Sequence, residues 1–111
     1  MRRVPFLLLL MTVMATSQVS AQPAQTAGDA VNGRRIAQTW CASCHSLSPG
    51  TSSDTAPSFP DIARIPSKTE DYLRSWLLRP HAPMPDYMLS RDDINDIIAF
   101  FHTLEKSSPD L

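Results

Sequence analysis

Cys41-Ala42-Ser43-Cys44-His45 is the stretch from which the rest of the sequence can be interpreted. Its spacing, C-x-x-C-H, is the pattern used for covalent attachment of a c-type haem. The two thiols would add across the two vinyl groups of the porphyrin, and the imidazole that follows directly would bind the iron axially. The sequence therefore predicts one haem c, attached through Cys41 and Cys44 and ligated by His45.

Two other chemistries use closely spaced cysteines, and the sequence offers less for each of them. A thiol–disulfide motif is expected within a βαβ unit, and a zinc site needs four ligands close together. Cys41 and Cys44 are the only cysteines, and the other two histidines, His81 and His102, lie far along the sequence. An exported chain with two cysteines would ordinarily form one disulfide, but a histidine directly after the pair favours haem attachment.

The N-terminus is typical of an exported protein. Arg2 and Arg3 precede an apolar run over residues 4–15, and Val19-Ser20-Ala21 resembles a cleavage site. Residues 1–21 are therefore predicted to be a cleaved signal peptide, and the protein is expected in the periplasm. The apolar run is shorter than the ~20 residues of a membrane helix, which disfavours the alternative of an uncleaved membrane tether. The arginine pair leaves a twin-arginine signal as a further alternative.

The rest of the chain has the length and charge of one small domain. About 90 residues remain, in which we expect a flexible leader over residues 22–28, a domain over residues 29–106 and a tail over residues 107–111. So short a chain buries a limited core and benefits from a cofactor around which to pack. Eight of the ten basic residues follow the signal peptide, against eleven acidic ones, so no basic surface for nucleic acid is expected.

Hydrophobic periodicity and capping residues predict an all-α chain with three main helices. Asp29 is expected to cap a first helix that runs from Ala30 to about Trp40 and delivers the haem-attachment motif at its end. Gly33 lies inside this helix, where it costs about 1 kcal/mol relative to Ala. Such a glycine predicts close approach by the backbone of another element.

Two further helices carry N-terminal capping patterns. Ser67 and Glu70 have the capping-box spacing S-x-x-E, and the helix they begin should end near Leu78 or Arg79 because Pro80 follows. Ser90 is expected to cap the last helix, whose apolar residues repeat at helical spacing: Ile94, Ile97, Ile98, Phe101 and Leu104. Its polar residues are expected to face solvent: Asn95, Asp96, His102 and Glu105.

The segment before the second helix and the helix itself carry further candidate haem contacts. Residues 46–60 show no periodicity and are predicted to be a loop along one edge of the haem. Within it, the carbonyl of Pro57 is expected to accept the ring N–H of His45 and so fix the tautomer of the ligand. Trp76 and Leu77 are expected to line the haem pocket.

Met84 is the leading candidate for the sixth iron ligand. A thioether is a soft, neutral ligand that favours Fe(II). Pro83 and Pro85 flank the methionine and would hold it with little conformational entropy left to lose. Met88 and His81 remain alternative ligands on sequence grounds.

Together these residues resemble a class I, monohaem c-type cytochrome of the compact bacterial periplasmic type. The resemblance covers residues 28–104 and rests on the helix with Gly33, the C-x-x-C-H motif, Pro57 and Met84. It implies a small cytochrome c fold, with three main helices and long loops wrapped around one covalently bound haem. It also implies that the first and last helices cross with Gly33 against Phe100.

The resemblance implies electron transfer and no enzymatic activity. One iron would alternate between Fe(III) and Fe(II), held by His45 and Met84. The family exports its chains unfolded and attaches haem outside the cytoplasm, which disfavours twin-arginine export. Partners would be redox proteins, namely periplasmic or membrane-bound dehydrogenases, reductases or oxidases. Alternatives are the haem subunit of a periplasmic dehydrogenase or oxidase complex and, if Met84 is labile, a protein that binds small ligands or turns over peroxide.

Overall fold

The computed structural model of the protein describes residues 27–107, so the predicted signal peptide, most of the predicted leader and most of the predicted tail lie outside it. Four α-helices make up this part: α1 (Ala30–Ile36), α2 (Phe59–Ala63), α3 (Glu70–Leu78) and α4 (Arg91–Lys106). The all-α prediction is confirmed. Within the described residues, none of these helices has the length and apolarity needed to cross a membrane.

The first helix begins where its capping residue predicts and then changes type. The Asp29 carboxylate accepts the N–H groups of Val31 and Asn32 at 2.8 and 3.2 Å, which satisfies two donors at the helix start. After α1 the chain continues as a π-helical turn, Ala37–Cys41, a local widening that often marks functional sites. The turn leaves Trp40 half exposed and Cys41 buried.

The short helix α2 begins in the last two residues of the segment predicted as a loop, residues 46–60, and continues to Ala63. Ser58 is fully buried, and its hydroxyl accepts the N–H of Asp61 at 3.2 Å as an N-cap. Pro60 occupies the second helical position, where a missing N–H costs nothing. A helix of five residues shows no hydrophobic period, and the Ser, Thr, Gly and Pro residues before it predicted a loop.

The second predicted helix starts two residues later than its capping pattern suggested. Thr69, not Ser67, is the N-cap of α3, and its hydroxyl accepts the N–H of Tyr72 at 3.3 Å. The N–H of Lys68 instead closes a turn onto the carbonyl of Ile65 at 2.9 Å. The start of α4 agrees with its pattern, since Ser90 forms a reciprocal capping box with Asp93.

The structure is built on close contact between α1 and α4, because two glycines let the backbones touch. A methyl group at Gly33 would overlap the carbonyl of Asp96 and lie 2.9 Å from the amide nitrogen of Ile97. Gly28 meets the carbonyl of Asn95 in the same way. The predicted close approach is therefore present, and the atoms nearest to Gly33 belong to the α4 main chain at Asp96 and Ile97.

Phe100 belongs to an aromatic group between α2 and α4. Its ring centroid lies 6.4 Å from that of Phe59, and Phe59 also stacks on Phe101 at 4.7 Å. All three rings are buried. Further buried apolar side chains from α1, α3 and α4 extend this core: Ile36, Leu73, Ile94, Ile97 and Ile98.

Asp96 departs from the expectation that it faces solvent. Its carboxylate accepts the backbone N–H of Asp29 and the side-chain amide of Asn32, both at 2.6 Å. These charge-assisted bonds fasten the start of α1 to the middle of α4. Helical spacing places Asp96 on the polar face but does not reveal that α1 covers part of that face.

Gly33→Ala should lower the melting temperature by roughly 5–15 °C, corresponding to about 1–3 kcal/mol of overpacking. In an open helix the same change would be stabilising by about 1 kcal/mol, but here the methyl group meets main-chain atoms that cannot rotate away. Val31→Ala is the matched control, because Val31 lies on the same helix and is 80% exposed. A rise in melting temperature for Gly33→Ala would contradict the close helix crossing.

Candidate haem site

The C-x-x-C-H motif forms a tight turn at the end of the π-helical segment. The N–H groups of Cys44 and His45 both donate to the carbonyl of Cys41, at 3.1 and 2.8 Å. The Nδ1 atom of His45 lies 2.8 Å from the carbonyl oxygen of Pro57. Because that oxygen can only accept, Nδ1 carries the proton, and Nε2 keeps the lone pair that a metal needs.

Ser53 holds the loop that carries Pro57 against the motif, and sequence reasoning missed it. Its hydroxyl donates to the carbonyl of Cys44 at 2.8 Å and accepts the N–H of Ala56 at 3.1 Å. Such local side-chain bonds are typical of Ser in turns, so the Ser-rich composition of the loop was the available indication. The result is a loop fixed on both sides of Pro57, since the N–H of Phe59 also donates to the carbonyl of Ser46 at 2.9 Å.

The environment of the two thiols disfavours the alternative chemistries. Cys41 and Cys44 are both free. Burial raises the pKa of the Cys41 thiol to about 11, whereas redox-active cysteines need a lowered pKa. The surrounding structure is helical and has no βαβ unit in the described part. Residues 27–107 also contain no cluster of three or more Cys, His, Asp or Glu side chains that could hold a metal ion.

Two neighbouring cavities that share lining residues lie beside this turn, and they are called here the large and the small lobe. The large lobe has a volume of about 440 Å³, within the range of cofactor sites. Six of the residues that the sequence assigns to the haem line it: Cys41, His45, Pro57, Trp76, Leu77 and Met84. Cys44, the remaining one, lines a small lobe of about 50 Å³ that shares Cys41, His45 and Met84 with the large one.

The three candidate sixth ligands differ in their positions. Met84 and His81 both line the two lobes. The ring of His81 packs edge-on against Trp76, with centroids 4.1 Å apart. Met88 lines neither lobe and is 88% exposed, so the cavity contains one methionine sulfur and not two.

The small lobe is bordered by an aromatic contact that the sequence did not indicate. The rings of Trp40 and Tyr87 lie 5.4 Å apart, and both line the lobe. Trp40 precedes Cys41 directly, while Tyr87 follows the segment that carries Met84. The contact thus ties the methionine segment to the helix that carries the cysteines, and sequence spacing gives no indication of it.

The donor set and the cavity suit a covalently tethered haem. Two thiols lie at one end, an imidazole with a free Nε2 and a thioether face the same space, and most other lining residues are apolar. Ligation by one imidazole and one thioether is typical of c-type haem. The fold and the site define a monohaem c-type cytochrome.

Comparison with known proteins gives the family. Residues 28–101 match the family described as cytochrome C oxidase, cbb3-type, subunit III, and the chain belongs to it. The chain is also 39% identical over 97 residues to cytochrome c-552 from Bradyrhizobium diazoefficiens, which covers 86% of this chain and 89% of that protein. No solved structure matches the chain. The cofactor is haem c, bound covalently through Cys41 and Cys44.

Proposed function

We propose that the protein is a periplasmic electron carrier whose haem is ligated by His45 and Met84. The observation that carries this proposal is that the free Nε2 edge of His45 and the side chain of Met84 share one largely apolar cavity. The bound haem supplies the redox chemistry, with iron that alternates between Fe(III) and Fe(II). The protein supplies the ligands, the exclusion of water and the route to a partner.

His45 and Pro57 act together on one side of the cavity. The carbonyl of Pro57 holds the proton on Nδ1 through the 2.8 Å hydrogen bond. This bond keeps Nε2 unprotonated for the metal and raises the basicity of the ring. Phe59 packs against the imidazole at 5.3 Å between centroids, which restricts rotation of the ring. The ligand is therefore oriented before the cofactor binds.

Met84 supplies the second ligand from a segment held by its own contacts. Its N–H donates to the carbonyl of His81 at 2.6 Å, and prolines flank it on both sides. If His45 and Met84 both hold the iron, the chain would leave no position on it open for a substrate. This saturation favours an electron carrier over an enzyme.

Export and partners complete the proposal. The composition of residues 1–21 supports a cleaved signal peptide and hence a periplasmic location. The partners are redox proteins, either periplasmic or membrane-bound dehydrogenases, reductases or oxidases. The family description favours a second candidate, in which the chain is the haem subunit of such a complex. Co-purification of the native protein with other chains at a fixed ratio would support the subunit, and isolation as a free monomer would support the carrier.

The proposal is tested on protein made together with the haem-attachment machinery. The pyridine haemochrome spectrum should show one haem with both vinyl groups saturated. The oxidised protein should show the weak far-red band of a sulfur-to-iron charge transfer, and the reduced protein should not bind carbon monoxide rapidly. Rapid carbon monoxide binding by wild-type protein would contradict electron carriage with saturated ligation and support a ligand-binding or peroxidatic haem protein.

A further inference from the structure

Lys68 is a cation at the edge of the haem cavity without an acidic partner. It is one of only two lysines in the chain, and none of the ion pairs formed within residues 27–107 involves it. It is half-buried, although its neighbours Ser67 and Thr69 are exposed. A cation beside an apolar cavity is available to form a charge-assisted hydrogen bond with an anion inside the cavity.

Lys68 is folded back onto Tyr72 at this edge. Its Nζ atom donates to the phenol oxygen and lies 3.9 Å from the centroid of the ring. Both side chains line the large lobe, in which Lys68 is the only lysine or arginine. Since the phenol oxygen accepts from the ammonium group, the phenol O–H remains available to donate. The pair therefore offers an ammonium group and a hydroxyl donor to a single anion.

The two lobes of the cavity carry different functional groups. The small lobe is lined by Cys44 and Ser43 but not by Lys68 or Tyr72, and the large lobe is lined by Lys68 and Tyr72 but not by Cys44. Haem carries its vinyl groups and its two propionate carboxylates on different edges of the ring. Attachment of the vinyl edge at the cysteines leaves the carboxylates for the remainder of the cavity, where the cation lies.

We infer that Lys68 and Tyr72 bind a haem propionate, with the Lys68 ammonium paired to the carboxylate and the Tyr72 hydroxyl donating to it. This inference rests on the covalently bound haem of the proposed function, but not on which side chain is the sixth ligand. The binding keeps that propionate ionised, because a nearby cation favours the charged carboxylate. It also gives Lys68 the countercharge that the described protein residues do not provide.

The test follows the propionates directly by carbon NMR. Haem made from aminolaevulinate labelled at its carboxyl carbon reports each propionate carboxyl, and its signal is followed through a pH titration in wild type and in Lys68→Met. One of the two carboxyl resonances should titrate about one to three pH units higher in the variant. The other resonance should keep its wild-type titration.

The reduction potential gives a second readout. A carboxylate near the iron holds its proton more tightly when the iron is reduced, so the potential of Lys68→Met should fall with rising pH through the new titration. The wild-type potential should be flat over that interval. Other titratable groups near this end are His81 in the large lobe and Arg64 and Glu105 in the groove on the outer side of Lys68, and all three are present in every variant compared.

Matched variants separate propionate binding from packing and from net charge. Lys106→Met removes the same charge at the end of α4 and should leave both carboxyl titrations unchanged. Lys68→Arg should restore the wild-type titration, and Tyr72→Phe should shift the same resonance by less than Lys68→Met does. Identical carboxyl titrations in Lys68→Met and Lys106→Met would overturn the inference, whatever happens to the melting temperature. The far-red band of the same samples reports whether a sulfur atom ligates the iron. Its absence would therefore contradict ligation by Met84 but not propionate binding by Lys68 and Tyr72.

Discussion

Replacing both Cys41 and Cys44 by Ala should give a protein that carries no covalent haem and is largely unfolded. No other cysteine exists in the chain, so no other thioether can form. The apolar walls of a cavity of about 440 Å³ would lose their main packing partner, and a domain this small has little other core to compensate. Denaturing electrophoresis with haem staining and far-ultraviolet circular dichroism measure the two effects.

The single cysteine variants should show an intermediate result. Cys41→Ala and Cys44→Ala should each retain one thioether, visible as a shifted haemochrome band from one unsaturated vinyl group. Ser43→Ala is the matched control, because it alters the motif without removing a thiol and should retain both bonds. Haem that survives denaturing electrophoresis in the double variant would refute attachment at the motif.

Met84→Ala should open the sixth coordination position. The far-red band of the oxidised protein should disappear, and the reduced protein should bind carbon monoxide. The reduction potential should fall on the order of 0.1–0.3 V, a fraction of the ~0.8 V that axial ligands span, because the ligand that favours Fe(II) is gone. Peroxidase activity should rise as peroxide gains access to the iron. Redox titration and stopped-flow ligand binding measure these changes.

Two neighbouring variants serve as controls for Met84. Met88→Ala should change none of these properties, because Met88 is 88% exposed and lies outside the cavity. His81→Ala should keep the band, although loss of the ring contact with Trp76 should loosen the segment. Persistence of the band in Met84→Ala and its loss in Met88→Ala would identify Met88 as the ligand. A wild-type protein without the band and a change of spin state in His81→Ala would indicate ligation by two histidines.

Features encoded by neighbouring residues could be predicted from the sequence. The caps at Asp29 and Ser90 and the end of α3 before Pro80 depend on contacts within one helical turn, and each agrees with the structure. The hydrogen bond between His45 and Pro57 could also be predicted, because a ligating histidine needs an acceptor for its second ring N–H and the free carbonyl of Pro57 lies in the loop after the motif.

Features that depend on distant residues could not be predicted in the same way. A glycine inside a predicted helix indicated that another element approaches Gly33 closely. Only the packing shows that this element is the main chain of α4. The capping pattern placed the helix start at Ser67, whereas Thr69 caps α3, and the bond between Lys68 and Tyr72 was not predicted. The change to a π-helical turn before Cys41 has no compositional indication.

The bond between Asp29 and Asp96 joins residues 67 apart in the sequence, and that separation has a consequence for the order of biosynthesis. Closing so long a loop costs conformational entropy. Because the chain without haem is expected to be largely unfolded, Asp29 and Asp96 meet stably only after the haem has been attached. The bond therefore marks a chain that already carries its cofactor.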